Sequence, residues 1–362
     1  ITSIYQVGDA VPGMDGFFFA GVGGTASIND HGKILFNALI TGPGVNGTND
    51  NILVFRNADE HMSVLAREGD PVSGIAGAIY QGMHAQSDVF RHLAVMPDGG
   101  IGLIAEISLG SDKADVILMD NPFGAGLVPI AYESGDAPGP GGSTLGFLSE
   151  PVAMQSGGVF AFHTKLYGSS VEDAIWSGGL FSLSMALRTG LQAPGQPDGV
   201  LIESFDPESI RMSTTGRVSF GAILDITSSA RGLLYEGVQG EIGVLAQTGD
   251  IAPGTGNGTY NAPRSTSVKY NSNDALCFTS GISGGVTTEA IMIRIGSTIS
   301  ALVRDGDPFP GLPQLSFDLN NQTLNINDQG EVVFVSRIRD AGIANVAMVI
   351  ASNASTRAIL LE

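Results

Sequence analysis

Hydrophobic positions fall along this chain in short runs of two kinds. Some are apolar at every position, as in Ile34-Leu35-Phe36, Ile52-Leu53-Val54-Phe55 and Ala290-Ile291-Met292-Ile293. A strand that is apolar on both faces needs protein above and below it, so these runs predict the middle strands of sheets stacked between sheets. Others alternate: Ile210 and Met212 point one way and Ser209 and Arg211 the other, and Val268/Tyr270 against Ser267/Lys269 repeats the pattern. Alternation predicts a strand with one polar face. A further run, such as Val64-Leu65-Ala66-Arg67 or Ala301-Leu302-Val303-Arg304, follows the second apolar run after a gap short enough for a hairpin. Each set reads as four strands.

The set recurs. Ile28-Asn29-Asp30-His31-Gly32-Lys33-Ile34-Leu35-Phe36 reappears as Ile326-Asn327-Asp328-Gln329-Gly330-Glu331-Val332-Val333-Phe334, with degenerate copies centred on Gly100, Gly158, Gly216 and Asp274. The spacing defines a unit of roughly 58 residues used six times. A second motif, Gly-Asp-x-x-Pro-Gly or a near relative, keeps the same phase at Gly8-Asp9, Gly69-Asp70, Gly135-Asp136, Gly249-Asp250 and Gly306-Asp307, and a copy at Gly190 lacks the Asp. Gly supplies positive φ and Asp closes the turn, so each copy ends a strand. The expected fold is all-β: a six-bladed β-propeller of four-stranded antiparallel blades, one domain over residues 1–362. Its repeats span approximately 10–68, 69–135, 136–189, 190–248, 249–305 and 306–362. Both Ile4-Tyr5-Gln6-Val7 and Ala358-Ile359-Leu360-Leu361 match the fourth-strand pattern, which makes one strand too many. One of the two, residues 1–9 or the C-terminal run, is expected to complete the last blade and the other to add an extra strand or lid; pairing with another molecule is the less favoured outcome.

Composition narrows the partners. With 36 acidic against 17 basic residues the net charge is -19, a field that repels phosphate backbones and anionic lipid and excludes nucleic acid as the expected partner. No apolar run reaches the length of a membrane-spanning helix. Cys277, the single cysteine, lies in an apolar strand and is expected to be a buried, inert thiol. The chain opens at Ile1 with no export signal ahead of it, which is expected of a mature exported product.

The Asn-x-x-Gly-x-x-x-Phe pattern, complete at Asn29/Gly32/Phe36 and Asn327/Gly330/Phe334, resembles the tandem NxxGxxxF-repeat proteins of bacteria. That resemblance implies an exported protein, extracellular or at the cell surface, and brings with it no activity and no catalytic residue.

Candidate chemistry is sparse. Of the five histidines (His31, His61, His84, His92, His163), no two have metal-ligand spacing, and solvated or turn positions are expected. There is no nucleophile elbow and no phosphate loop, and Gly21-Val22-Gly23-Gly24 is expected to be a flexible connector. Asp9, Asp70, Asp136, Asp250 and Asp307 are expected to close turns rather than share a cation. Asn49-Asp50-Asn51 and Asp112 with Asp115 are acidic loop clusters that could each hold calcium, although solvated loop tips are preferred; no other cofactor is expected.

In a propeller the first strand of each blade lines the central channel. Aligned by repeat, the residue before its apolar end is Ser27, Val95, Ala153, Arg211, Lys269 or Asn325, and three positions earlier stand Gly24, His92, Glu150, Glu208, Thr266 and Gln322. His92, Glu150, Glu208, Arg211, Lys269 and Asn325 are therefore the candidate binding residues of the channel mouth. The expected function is a secreted or cell-surface, non-catalytic module that binds an extracellular glycan or protein, or builds a surface layer or fibre. The alternative is a secreted carbohydrate-active lyase or hydrolase at that mouth, for which Glu150 and Glu208 would stand about 5 to 9.5 Å apart in glycoside hydrolysis.

Overall fold

In three repeats an asparagine ties together the turn that follows the first strand. Asn29 Oδ1 accepts the backbone N–H groups of His31 and Lys33 at 3.0 Å each, and Gly32 takes the φ of 73° that closes the turn. Asn271 and Asn327 do the same for Asn273/Ala275 and Gln329/Glu331. The amide left over reaches the neighbouring turn: Asn29 Nδ2 donates to Met96 O and Asn271 Nδ2 to Asn327 O, both at 2.9 Å. Asn327, in the last repeat, donates instead to Glu331 of its own turn. The Phe of the motif is a core residue, buried at Phe36, Phe162, Phe220, Phe278 and Phe334.

Turns at this position join first strand to second in six sheets of the computed structural model, which describes residues 3–81, 89–121, 126–138, 142–168, 170–180, 182–225, 232–238, 240–320, 323–339, 345–353 and 355–361. The first sheet is Phe18–Ile28, Ile34–Thr41, Asn51–Arg56 and Met62–Arg67. The second has a first strand split into Ala78–Tyr80 and Phe90–Val95, followed by Ile101–Leu109, Asp112–Asp120 and Leu127–Tyr132. The third is Thr144–Gln155, Val159–Tyr167, Val171–Gly179 and Ser182–Arg188; the fourth is Leu201–Met212, Val218–Asp225, Gly232–Val238 and Glu241–Gln247. The fifth is Thr259–Tyr270, Leu276–Ser283, Glu289–Ile295 and Thr298–Arg304. In the sixth, Pro308–Phe309, Leu312–Asp318 and Leu324–Ile326 precede Val332–Arg339, Asn345–Ala351 and Thr356–Leu361. No described residue is helical, so no helix is long and apolar enough to cross a membrane.

The residues gather into two compact units: Ile1–Phe160 with Thr164–Val171 and Gly178–Met185, and Ala161–His163 with Glu172–Ser177 and Ala186–Glu362. Within the second unit the fifth sheet shows why its middle strands are apolar on both faces. Leu276, Phe278, Ala290 and Met292 pack with Leu234 and Ala246 of the fourth sheet, while the alternate residues Cys277, Ile291 and Ile293 pack with Val332, Phe334 and Val349 of the sixth. Within the first unit Leu35 and Leu53 join Leu103, Val116 and Leu118 of the second sheet. The other face of the first sheet, with Phe36, Ile52 and Val54, is covered by Tyr5, Met14, Phe17 and Met62 from its own end of the chain.

A register shift recurs in the fourth strand, at Leu65, Ile130, Leu245, Leu302 and Ile359. Such bulges twist an outer strand and blunt its edge against pairing. In the fifth sheet the Pro-Gly loop adds a cap there, Ala301 N–H donating to Pro253 O at 2.9 Å.

Several sequence expectations need correction. The spare-strand question resolves at the C-terminus: Thr356–Leu361 completes the sixth sheet, whereas Ile4-Tyr5-Gln6-Val7 forms no strand and Tyr5 stacks on Phe19 and Phe36. Gly21-Val22-Gly23-Gly24 is no connector but the interior of a strand, where a Cβ on Gly23 would stand 2.1 Å from Asn37 Oδ1. The second repeat is out of phase by one residue, because Met96 N–H closes on Gly100 O as Asn29 N–H closes on Lys33 O, and Gly99 carries the positive φ. The third Gly-Asp copy slips likewise: Ser134 N–H bonds Leu145 O as Gly69 N–H bonds Tyr80 O, and Ser134 itself takes a φ of 70°. Asp112 and Asp115 open a strand rather than tip a loop, and Asp115 is a buried partner of Arg91. His163 is also buried, 3.2 Å from Asp173, and His84 lies outside the described residues.

Candidate functional site

The first strands of the fourth and fifth sheets are long, but their pleat is broken in the middle. Pairing runs to Asp206↔Gly221 and resumes at Arg211↔Ser219; in the fifth sheet it runs to Arg264↔Thr279 and resumes at Lys269↔Cys277. One serine fills each gap. Ser209 Oγ accepts Gly221 N–H at 2.8 Å and donates to Asp206 O, and Ser267 Oγ accepts Thr279 N–H at 2.9 Å and donates to Arg264 O. The hydroxyl replaces the missing ladder partner, so neither N–H is stranded. Ser209 is therefore fully buried, against the outward orientation that simple alternation predicts.

Past each serine the strand delivers a cation. Arg211 donates to three carbonyls, Glu208 O at 2.9 Å, Ile210 O at 2.7 Å and Thr266 O at 3.2 Å, the last from the fifth sheet. Those bonds fix the guanidinium, and no carboxylate among the described residues makes an ion pair with it. Asp206, the acid that acts on it, is itself held by Ser265 Oγ at 2.7 Å. Lys269 is half-buried, and its ammonium has no hydrogen bond or ion pair among the described residues. Burial, and then the Arg211 charge, hold its pKa below the ordinary lysine value.

Lys269 borders a hollow of about 340 Å³ lined by Arg264, Thr266, Ser267, Thr279, Thr323 and Leu324. Arg264 is neutralised by Glu289. Thr266 and Thr323 are exposed and their hydroxyls have no partner among the described residues, while Leu324 is buried in the core of the sixth sheet. The hollow thus offers an ammonium with no carboxylate contact among the described residues, a second positive charge nearby and two exposed hydroxyls.

Of the candidates read from sequence, Arg211 and Lys269 come together here. Glu208 is exposed and contributes its carbonyl. Asn325 is exposed and lines a different hollow, with Ile326, Glu331, Val333 and Ile350. His92 lies in the first-strand break of the second sheet, at a φ of 51°, between Arg91, which pairs with Ile104, and Ala94, which pairs with Gly102. By that register Ala94, not Val95, corresponds to Arg211. Glu150 belongs to the strand Thr144–Gln155, but its side chain, like Gln322, lies outside the described residues. Sequence reading missed Ser267, Thr279 and Thr323; the available signal was the recurrence of serine at 209 and 267, one repeat apart.

A larger hollow of about 570 Å³ beside the first sheet is lined by His61, Arg67 and Asp70. There Arg67 is already engaged, lying 5.0 Å from the Phe17 ring centroid and donating to Asn49 O at 2.8 Å. Among the described residues no three His, Cys, Asp or Glu side chains are grouped to hold a metal.

One family model matches residues 1–89 and 102–359, that of a family of unknown function, DUF7453. No curated protein is similar to the chain. Among solved structures, the β-propeller domain of the Trilobed protease from Pyrococcus furiosus, described as having an open velcro topology, is 9% identical over 94% of this chain and 85% of that one, with a TM-score of 0.43. An oligogalacturonate lyase in complex with manganese is 10% identical over 96% and 95%, with a TM-score of 0.38. The polysaccharide lyase Uly1 is 12% identical over 98% and 91%, also at 0.38. Likeness at these values assigns no activity.

Proposed function

We propose, for a chain that belongs to DUF7453, a family of unknown function, a non-catalytic ligand-binding module that works outside the cell or at its surface. Its six sheets act as the blades of a single propeller domain, and its ligand, a glycan or a protein, meets the broken first strand of the fifth sheet. The observation that carries this reading is Lys269: in a chain of net charge -19, it is half-buried at the edge of a hollow with no carboxylate among the described residues to pair with it. Pairing a buried charge with an acid is the ordinary structural solution, and a site that forgoes it is prepared for an outside partner.

A lyase reading draws on a specific feature of the same residue. A lysine whose pKa is lowered by burial and by Arg211 is suited to remove a proton, as a general base must. Screening the full chain against a glycan array and a panel of surface proteins, with product detection on every glycan bound, separates the two. Binding without product supports the module. A chain-cleaved product overturns the non-catalytic reading, and binding to nothing on either panel overturns both.

A further inference from the structure

We infer that the hollow beside Lys269 receives an acidic sugar residue of a glycan, its anionic group on the Lys269 ammonium and its hydroxyls on the threonine-lined wall. This deepens the reading just given and rests on it.

The chemistry of the lining selects the class. A carboxylate or sulfate accepts from Lys269 Nζ in a charge-assisted hydrogen bond, the stronger kind, and Arg211 adds attraction at longer range because its own donors go to neutral carbonyls. Thr266 and Thr323 present exposed hydroxyls that both donate and accept, which suits the alternating demands of a polyol rather than those of a bare inorganic anion. At about 340 Å³ the space stands at the small end of ligand sites, the scale of a sugar ring and not of a folded protein segment.

Arg264 is excluded from the anion's shell, since Glu289 engages it. The negative field of the rest of the chain opposes a long polyanion, which confines strong contact to one acidic residue and makes affinity fall with added salt. Carboxylated and sulfated sugars share this chemistry, and the probes below tell them apart.

The test is calorimetric titration of the full chain with trigalacturonate, with a sulfated galactose trisaccharide and with neutral galactotriose. An acidic probe is expected to bind about tenfold or more tightly than the neutral one, the scale of one charge-assisted contact. The better of the two acidic probes identifies the anionic group. Lys269→Gln should remove that preference while Lys269→Arg retains most of it, and Thr323→Val should weaken all bound probes alike. Equal affinity for acidic and neutral probes, or an undiminished preference in Lys269→Gln, overturns the acidic-sugar inference while leaving a glycan site in place. Failure of every probe, together with an empty glycan and protein screen, overturns the underlying reading instead.

Discussion

Lys269 is held at some cost to the folded chain. Its folded pKa lies below the unfolded value, so between the two the unfolded chain binds more protons and stability rises with pH; below the folded value the cost is fully present. Lys269→Met should therefore raise the Tm of the ligand-free protein at pH 7 by about 1 °C, a small gain because the group is partly solvated, while abolishing binding of acidic sugar. A melt of both proteins at pH 7 checks the direction, and a lower Tm would show that Lys269 has a stabilising partner. Cys277 lies across the ladder from Lys269, and burial pushes its thiol up to about 12. It should resist a disulfide reagent at pH 8 until the chain unfolds, as a timed thiol assay with and without denaturant would show. Arg211 and Lys269 were legible as polar positions in an alternating strand. The bridging role of Ser209 and Ser267 was not, because counting by twos assumes an unbroken pleat and both sit where the pleat breaks.

The broken first strand is an element with its own energetics. Ser267→Ala would leave Thr279 N–H without its acceptor and should cost about 1 to 3 kcal/mol, measured by urea unfolding. Asn271→Ala should cost more than Asn327→Ala, since Asn271 caps its own turn and also reaches the next sheet, whereas Asn327 turns back to Glu331. Equal losses would mean that the turn-to-turn bond contributes nothing. The motif was readable in the sequence as a turn, but its second task was not, because the partner lies one repeat away. Phase slips at Gly99 and Ser134 were hidden for a related reason: spacing counts residues, whereas a sheet counts ladder rungs, and a repeat may gain or lose a residue without losing a rung.

For the whole molecule, strands apolar on both faces correctly announced sheets stacked on sheets. The fifth sheet satisfies that rule on both sides. The sixth does so on one, and its other face leaves Val335 43%, Met348 40% and Ile359 52% exposed. Phe278→Ala, in the shared core, should cost about 3 to 5 kcal/mol. Met348→Glu should stay within about 0.5 kcal/mol if that face meets solvent, and a loss of several kcal/mol in urea unfolding would mean that another surface covers it. Sequence alone could not distinguish the two faces, since both carry the same valines and isoleucines. Nor could it find the hollow, whose walls come from the broken strand and from Thr323 and Leu324 of the next sheet.

Hydrogen–deuterium exchange of the full chain, with and without saturating trigalacturonate, tests the placement of the ligand most directly. New protection should appear in peptides covering residues 264–270 and 323–326, where the broken strand and its neighbour border the hollow. Protection confined instead to residues 61–70, beside the larger hollow of the first sheet, would contradict that placement, as would unchanged exchange throughout.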